Sequence, residues 1–263
     1  MKAIVLAAGY ATRLRPLTDD VPKQLLPVGG RPILDYVVDR IDAVNEIDAA
    51  YVVTNARFAA DFEDWAAGRA GRLRPSVVND GTLTNDDRLG AIGDIHFTVR
   101  NHRLEHDDVL VIAGDNLFDA SLTGLLSFWR GKGICSCLAL HDVADRDLAR
   151  QYGVVTVDRD ERVVSFVEKP SDPQTTLAAT ATYLYHREHV PLIERYLDEG
   201  NVADQPGNLI AWLAPRVPVY GYRLVGDWFD IGTPDQLLEA DNCLRERAGL
   251  PARSAYALDP ATA

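Results

Sequence analysis

Short apolar runs alternate with segments of helical periodicity through the first half of this chain. Runs rich in Val, Ile and Leu at residues 3–6, 51–53 and 109–112 are typical of buried strands. Between them, residues 32–44 and 57–67 carry their apolar side chains in a helical pattern. Alternation of this kind is typical of a parallel sheet that helices cover on both faces.

The pattern changes after Gly133, where strand-like runs follow one another without a long helix between them. These runs lie at residues 134–140, 154–157, 163–167 and 180–185, with a polar turn at 158–161. Helices are predicted again at residues 187–198, 208–213 and 234–247. Thr233 and Pro234 suit the cap and first position of the last one. We predict an α/β fold whose second half is a more antiparallel β portion that covers a ligand.

Charge and cysteine content restrict the partners and the compartment. The chain has 39 acidic and 27 basic residues, a net charge of −12, which disfavours nucleic acid and anionic membranes. Its three cysteines are an odd number, and Cys135 and Cys137 lie in an apolar run, as expected for buried thiols in a reducing compartment. The apolar stretch at residues 3–8 is too short for a signal peptide or a membrane span. We expect a cytoplasmic protein.

Lysine is scarce in this chain, so a lysine inside a motif carries weight. The 27 basic residues comprise 23 arginines and four lysines, namely Lys2, Lys23, Lys132 and Lys169. One of them, Lys23, follows the loop after the first predicted strand. That loop reads LAAGYATRLRPLT at residues 6–18, followed by PKQLLPV at residues 22–28.

Small residues at a strand end let backbone N–H groups approach phosphates closely. Arg13 then supplies a fork-shaped cation and Lys23 a point charge for phosphate oxygens. The sequence lacks both G-x-G-x-x-G and G-x-x-x-x-G-K-[ST], which disfavours a dinucleotide fold and P-loop hydrolysis. A purely structural turn remains an alternative.

The segment at residues 6–28 resembles the signature of the sugar-1-phosphate nucleotidyltransferases. Their loop usually reads G-G-x-G-T-R-L-x-P-x-T, and its Arg and the later Lys contact the triphosphate. Ala8 and Ala11 replace two glycines of that pattern, and Ala11 leaves less room beside the phosphates. The resemblance implies catalytic roles for Arg13 and Lys23. It implies that the nucleotide also contacts Ala8, Gly9 and Thr12.

Two aspartates complete the nucleotide side of the resemblance. Asp115 follows the strand-like run in VIAGDN, where open α/β sheets bind ligands, although an Asp there is often only a turn or cap residue. Asp230 lies in GDWFDIGT, which is similar to the family's W-x-D-x-G-T segment. The resemblance implies that both hold Mg²⁺ and that Asp115 also contacts the nucleotide. Two carboxylates with phosphate oxygens and waters suit this ion.

Three further segments resemble the part of the family that binds the sugar phosphate. Glu168 and Lys169 precede Pro170, which on its own is equally consistent with an edge-strand turn. In the family the Glu of this E-K-P segment contacts sugar hydroxyls and the Lys contacts the phosphate. The resemblance assigns the remaining contacts of the sugar pocket to Tyr152, Gly153, Thr182 and Tyr183.

The segment that would bind the nucleobase is less diagnostic. Gly90 in RLGAI resembles the position where the base lies against the main chain. Asn85, in a loop by composition, is consistent with a contact to base or ribose and equally with a helix cap. Gln24 after Lys23 is typical of thymidylyltransferases and favours dTTP or UTP.

The resemblance covers about residues 2–242. It implies a Rossmann-like, three-layer, mostly parallel sheet in one domain, residues 1–249, with a nucleotide-binding half (1–133) and a smaller β-rich sugar-binding half (134–249). A tail follows at 250–263, and its small, polar, Pro-containing sequence from Pro251 onward predicts that it is loose. The implied reaction joins a nucleoside triphosphate and a sugar-1-phosphate, with Mg²⁺. Alternatives are a cytidylyl- or guanylyltransferase acting on a cyclitol phosphate, phosphocholine or a phosphonate, and a silent nucleotide-sugar sensor. The resemblance also allows a homo-oligomer, dimeric or tetrameric.

Overall fold

The middle layer of the molecule is a nine-stranded sheet, seen in a computed structural model that describes residues 1–258. The strands within this part of the chain are β1 (Lys2–Leu6), β2 (Pro27–Val28), β3 (Arg31–Pro32), β4 (Ala49–Thr54), β5 (Ser76–Asn79), β6 (Val109–Ala113), β7 (Asn116–Phe118), β8 (Ser136–Asp142), β9 (Gly153–Val157), β10 (Val163–Glu168), β11 (Leu177–Tyr185), β12 (Val219–Arg223) and β13 (Trp228–Asp230). The helices are α1 (Ile33–Asp42), α2 (Ala59–Gly68), α3 (Ala91–His102), α4 (Leu122–Gly131), α5 (Arg146–Ala149), α6 (Pro191–Asp198), α7 (Pro206–Leu213) and α8 (Pro234–Arg247).

The sheet has a parallel half and an antiparallel half. Its main path runs β10-β9-β11-β6-β1-β4-β5, and β8 and β12 continue from β11. Strands β6, β1, β4 and β5 are parallel, whereas β11 is antiparallel to β6, β8 and β9. The predicted α/β class is confirmed, and the antiparallel strands come from the second half of the chain as expected.

Helices cover both faces of the sheet, which makes the three layers. Ala3 and Val5 of β1 pack on one face against α1, α2 and α4. Ile4, which points the other way, packs with α3, α6 and α7. Strands buried on both faces explain why the first-half strands read as continuous apolar runs.

A third apolar cluster lies beside the sheet and joins distant segments of the chain. Leu14 and Leu26 pack here with Leu117 of β7, Ile231 and Leu237 of α8. The cluster therefore holds the loop after β1 against the segment that carries Asp230.

Several predicted boundaries change in the structure. The helix predicted at 187–198 begins at Pro191, because residues 186–190 form turns closed by His186. Thr233 is confirmed as the cap of α8, since its Oγ1 accepts from Gln236 N at 3.3 Å. The short helix α5 was not predicted, and its cap is Asp145.

The tail is packed as far as the structure describes it. Tyr256 donates from its hydroxyl to the Pro27 carbonyl at 2.8 Å, and Leu258 joins the third cluster. The prediction of a loose tail is therefore wrong for residues 251–258, and residues 259–263 lie outside the described part.

The prediction that the thiols of Cys135 and Cys137 are buried is confirmed. Burial raises the pKa of the Cys135 thiol to about 11, which keeps it protonated. None of the helices in residues 1–258 has the length and apolar character needed to cross a membrane.

Candidate active site

A cavity of about 240 Å³ lies where the parallel and antiparallel halves of the sheet meet. Strands β1 and β6 end here side by side, so the loops after both strands reach the cavity. The first half and β13 contribute Arg13, Asp115 and Asp230, and the second half contributes Tyr152, Glu168 and Lys169. With Gly153 and Tyr183, eight of the predicted site residues therefore line one cavity.

The loop after β1 turns back at Ala11 and presents Arg13 to the cavity. Ala11 adopts a left-handed conformation (φ +45°), which an alanine tolerates less readily than a glycine. The Thr18 hydroxyl holds the turn by donating to the Ala11 carbonyl at 2.9 Å. A Cβ at Gly232 would lie 3.1 Å from Nη2 of Arg13, so the missing side chain gives the guanidinium room beside Asp230.

The other predicted residues of this loop, Ala8, Gly9 and Thr12, do not line the cavity. Ala8 is buried, whereas Gly9 and Thr12 are exposed beside it. Asn55, after β4, donates from its side-chain amide to the Ala8 carbonyl at 2.9 Å and so fixes the start of the loop. The sequence signal for this supporting role is that Asn55, a polar residue, directly follows the buried strand β4.

Lys23 lies outside the cavity lining and connects the segments that carry Asp115 and Asp230. Its ammonium group forms an ion pair with Asp115 and donates to the Ile231 carbonyl, next to Asp230. Lys23 is 9% exposed and does not line the cavity itself. The structure therefore adds a positioning contact that the sequence did not predict for this residue.

The charged groups of the cavity act on one another. Burial, and next the neighbouring Asp115 carboxylate, raise the pKa of Asp230, while Lys23, Arg13 and Lys169 oppose that rise. Two carboxylates and three cations from four separate segments thus lie within electrostatic reach. A buried carboxyl group with a raised pKa, surrounded by several charged groups, is typical of functional sites.

The two carboxylates fit a hard cation such as Mg²⁺. Oxygen ligands suit this ion, which usually takes one or two carboxylates and completes its shell with phosphates and waters. Across residues 1–258, no group of three or more His, Cys, Asp or Glu side chains is arranged to hold a metal. A cation at Asp115 and Asp230 would therefore depend on the substrate for further ligands.

The side of the cavity that the sequence predicts to bind the sugar phosphate is formed by the end of β10. Lys169 has a left-handed backbone (φ +45°), and its N–H donates to the Tyr152 carbonyl at 3.0 Å. Burial raises the pKa of Glu168, against the opposing effect of Lys169. A Cβ at either Gly153 or Gly207 would collide with the Phe166 ring. Phe166 and Gly207 were not predicted, because their contact joins β10 to α7, far apart in sequence.

An irregularity in β11 brings backbone into the cavity. Its register against β8 shifts between Ala179 and Tyr183, and residues 179–181 line the cavity. Thr182, predicted to close the sugar pocket, is wholly buried and is not among the residues that line the cavity. Its hydroxyl accepts from the Asn116 side-chain amide at 2.9 Å, so its role is to position Asn116.

Trp228 forms the wall between these elements and was not singled out from the sequence. Its indole N–H donates to the Asn116 side chain at 2.6 Å, and its ring centroid lies 5.0 Å from that of Tyr152. The W-x-D-x-G-T pattern contained it, but only Asp230 was interpreted.

Asn85 and Gly90 lie apart from the cavity, on the side of α3. Asn85 is exposed, and its carbonyl accepts from Nη1 of Arg88 at 2.7 Å. Gly90 caps α3 with φ +79° and packs on the backbone of residues 203–204, where a Cβ would lie 2.7 Å from the Ala203 carbonyl oxygen. The structure does not bring these two residues together with Asp230 and Lys169.

The sequence of this chain matches a known protein family over most of its length. The family model of the nucleotidyl transferases matches residues 2–247. The chain belongs to the nucleotidyl transferase family.

Individual nucleotidyl transferases resemble the chain over most of its length. A mannose-1-phosphate guanylyltransferase of Mycobacterium tuberculosis is 34% identical over 90% of this chain and 62% of that protein. The bifunctional protein GlmU of Methanococcus aeolicus is 30% identical over 92% of this chain and 54% of that protein. The chain thus spans between half and two thirds of these relatives. A UDP-glucose pyrophosphorylase solved with UDP-glucose superposes with a TM-score of 0.79 at 21% identity, covering 94% and 98% of the two chains, which shows the shared fold.

We expect Gly90→Ala to destabilise the protein. The left-handed backbone and the approach of the Ala203 carbonyl both oppose a Cβ, so the free energy of unfolding should fall by about 2 kcal/mol or more. Urea denaturation measures the change. Gly68→Ala is the matched control, because that glycine ends α2 with open space around it. Equal free energies for the two variants would contradict the prediction.

Proposed function

We propose that this chain transfers a nucleoside monophosphate from a nucleoside triphosphate to a sugar-1-phosphate and releases pyrophosphate. The product would be a nucleotide sugar. One observation carries the proposal: Arg13, Lys169, Asp115 and Asp230, from both halves of the chain, line a single cavity. Two anionic substrates that must meet need cations from both sides.

Each cation has a place in this reaction. Arg13 would bind the triphosphate and the leaving pyrophosphate, and Lys169 would hold the incoming phosphate. Lys23, below Asp115, would neutralise charge near the α-phosphate and keep the aspartate segments together. The acceptor phosphate oxygen attacks the α-phosphorus in line, and the bond to pyrophosphate breaks. Positioning and charge neutralisation drive such a step, without a protein nucleophile.

Asp115 and Asp230 would hold Mg²⁺ together with the phosphates, and the ion would reduce the repulsion between the two anionic substrates. Lys23 is paired with Asp115 in the structure. Its ammonium group would keep that carboxylate oriented before the triphosphate arrives.

The acceptor side favours a sugar. The Glu168 carboxylate lines the cavity and is suited to accept hydrogen bonds from sugar hydroxyls. Tyr152 and Gly153 flank it, with the Trp228 ring behind. Phosphocholine and phosphonates lack the hydroxyls that would satisfy Glu168, so we rank a sugar-1-phosphate first.

Several nucleoside triphosphates are candidates for the nucleotide donor of the proposed reaction. The sequence favours dTTP or UTP through Gln24, but that side chain is only 4% exposed and lies under Gly114, where it is unsuited to contact a base. A guanylyltransferase among the similar proteins makes GTP an equal candidate. The base therefore has to be determined with all common triphosphates.

A substrate panel tests the proposal. The purified chain with Mg²⁺ is mixed with each of ATP, CTP, GTP, UTP and dTTP and with each of several sugar-1-phosphates, and pyrophosphate release is measured. We expect release with at least one pair, and only when both substrates are present. Binding of a triphosphate or nucleotide sugar without release in any pair would support the sensor instead.

A further inference from the structure

Two buried carboxyl groups face each other outside the cavity, near the loop after β1. Asp80 directly follows β5, and Asp94 lies in the first turn of α3. They are 8% and 6% exposed, and their side chains are within hydrogen-bonding contact of each other. Neither is among the residues that line the proposed substrate cavity.

The hydrogen-bond pattern of the pair requires a proton. Oδ2 of Asp80 and Oδ1 of Asp94 are buried and meet no donor group within residues 1–258. Two ionised carboxylates in buried contact would repel each other, whereas one protonated carboxyl donates to the other. Burial, and next the Asp80 charge, accordingly raise the pKa of Asp94 to about 8.

The pair is connected to the loop after β1 by hydrogen bonds. Oδ1 of Asp80 accepts from the N–H and the hydroxyl of Thr82 at 2.7 and 2.8 Å. The Thr82 hydroxyl is 3.3 Å from the hydroxyl of Tyr10, the residue after Gly9. Asp80 also donates its own N–H to the Thr54 carbonyl, next to Asn55. A movement of Asp80 would therefore reach the segment proposed to bind the triphosphate.

Few other charges act on this pair. At Tyr10, burial is the main cause of a raised pKa. The charges of Asp87 and Asp80 also raise this pKa, whereas Arg57 lowers it. Further along α3, His96 and Arg100 face Glu194 of α6 rather than Asp94. The charge that responds to pH near neutrality is therefore the one on the carboxyl pair.

We propose that Asp80 and Asp94 share one proton that positions the triphosphate-binding loop, and that losing it at alkaline pH weakens triphosphate binding. The inference rests on the proposed function. Both aspartates are positioning residues, since they act through Thr82 and Tyr10. When the second carboxyl ionises, repulsion separates the pair and displaces the acceptor that holds Thr82.

The test is the pH dependence of triphosphate binding to the full chain. ATP, CTP, GTP, UTP and dTTP are titrated singly by calorimetry from pH 6.5 to pH 9.5, and the dissociation constant is followed for those that bind at pH 7. For one required proton with a pKa of about 8, the wild-type affinity should fall about tenfold between pH 7 and pH 9. Asp94→Asn should keep its affinity, because the amide donates to Asp80 at every pH.

Controls and a second variant separate the outcomes. Asp80→Asn should also lose the alkaline fall, and it serves if Asp94→Asn does not fold. The exposed Asp198 of α6 provides the control Asp198→Asn, which should follow the wild type. A wild type without the fall, or Asn variants that keep it, would overturn the inference alone. A lack of binding by any triphosphate at pH 7 would overturn the proposed function and the inference with it.

Thermal unfolding gives a readout of the proton that does not depend on ligand. The native pair keeps a proton that an unfolded Asp releases near pH 4, so its contribution to stability falls as pH rises from about 4 to about 8. The gain in unfolding temperature from Asp94→Asn should therefore be larger at pH 8 than at pH 5. An equal difference at both pH values would contradict the shared proton.

Discussion

Replacing Lys23 with Met is expected to lower kcat/KM for nucleotidyl transfer by about 10²–10³-fold, the loss typical of removing one preorganised stabilising group. The Met side chain has similar length but no charge. It would leave Asp115 without its cation and release the hydrogen bond to the Ile231 carbonyl. Two negative charges and two incoming anions would then share the site without this compensation.

Lys132 provides the matched control for Lys23, because it does not line the cavity. Lys132 donates to the Asp160 carbonyl at 2.7 Å and lies 4.7 Å from the centroid of the Tyr220 ring, so its contacts are structural and lie outside the cavity. Lys132→Met should cost some stability and leave kcat/KM within about twofold, as for surface changes away from a site. Steady-state rates of pyrophosphate release at matched folded fraction compare the two. Similar rates for both variants would remove Lys23 from the site.

Asp115→Asn and Asp230→Asn should each lower kcat by about 100-fold or more, because each removes half of the proposed cation site. The amide keeps the shape of the carboxyl group but loses its charge. Since the two carboxylates act on one another and on one ion, the double variant should lose much less than the product of the single losses. The Mg²⁺ concentration that gives half-maximal rate should rise in each variant.

A nearby aspartate serves as the control for this pair. Asp227 lies three residues before Asp230, forms an exposed ion pair with Arg247 and does not line the cavity. Asp227→Asn should keep near-normal kcat and an unchanged Mg²⁺ requirement, because exposed ion pairs contribute little. Normal turnover in Asp115→Asn or Asp230→Asn would exclude that residue from the metal site.

The fold was predictable where the signal is local. Strands β1, β4 and β6 are buried on both faces, so their sequences are continuous apolar runs that stand out between helices. The site motifs were predictable because each is a short segment at a strand end or turn. The meeting of Arg13 and Asp115 at one cavity follows from the parallel order of β1 and β6.

The contacts that hold those motifs in place were not predictable. Lys23 reaches Ile231 across 208 positions, and the Asn116 amide reaches Thr182 across 66. The shift in β11 depends on its pairing with β8, which no single strand sequence encodes. The Asp80–Asp94 contact likewise depends on how α3 packs beside β5. Only the tertiary fold decides which polar groups become partners.

The most direct test of the proposed chemistry traces the phosphates of the triphosphate. The productive pair from the substrate panel is supplied with triphosphate labelled at the α-phosphate, and in a parallel reaction at the γ-phosphate. We predict that the α-label appears in a nucleotide sugar and the γ-label in pyrophosphate, in equal amounts and with none bound to protein. Label from the γ-phosphate in inorganic phosphate or in the sugar product would contradict nucleotidyl transfer at this site.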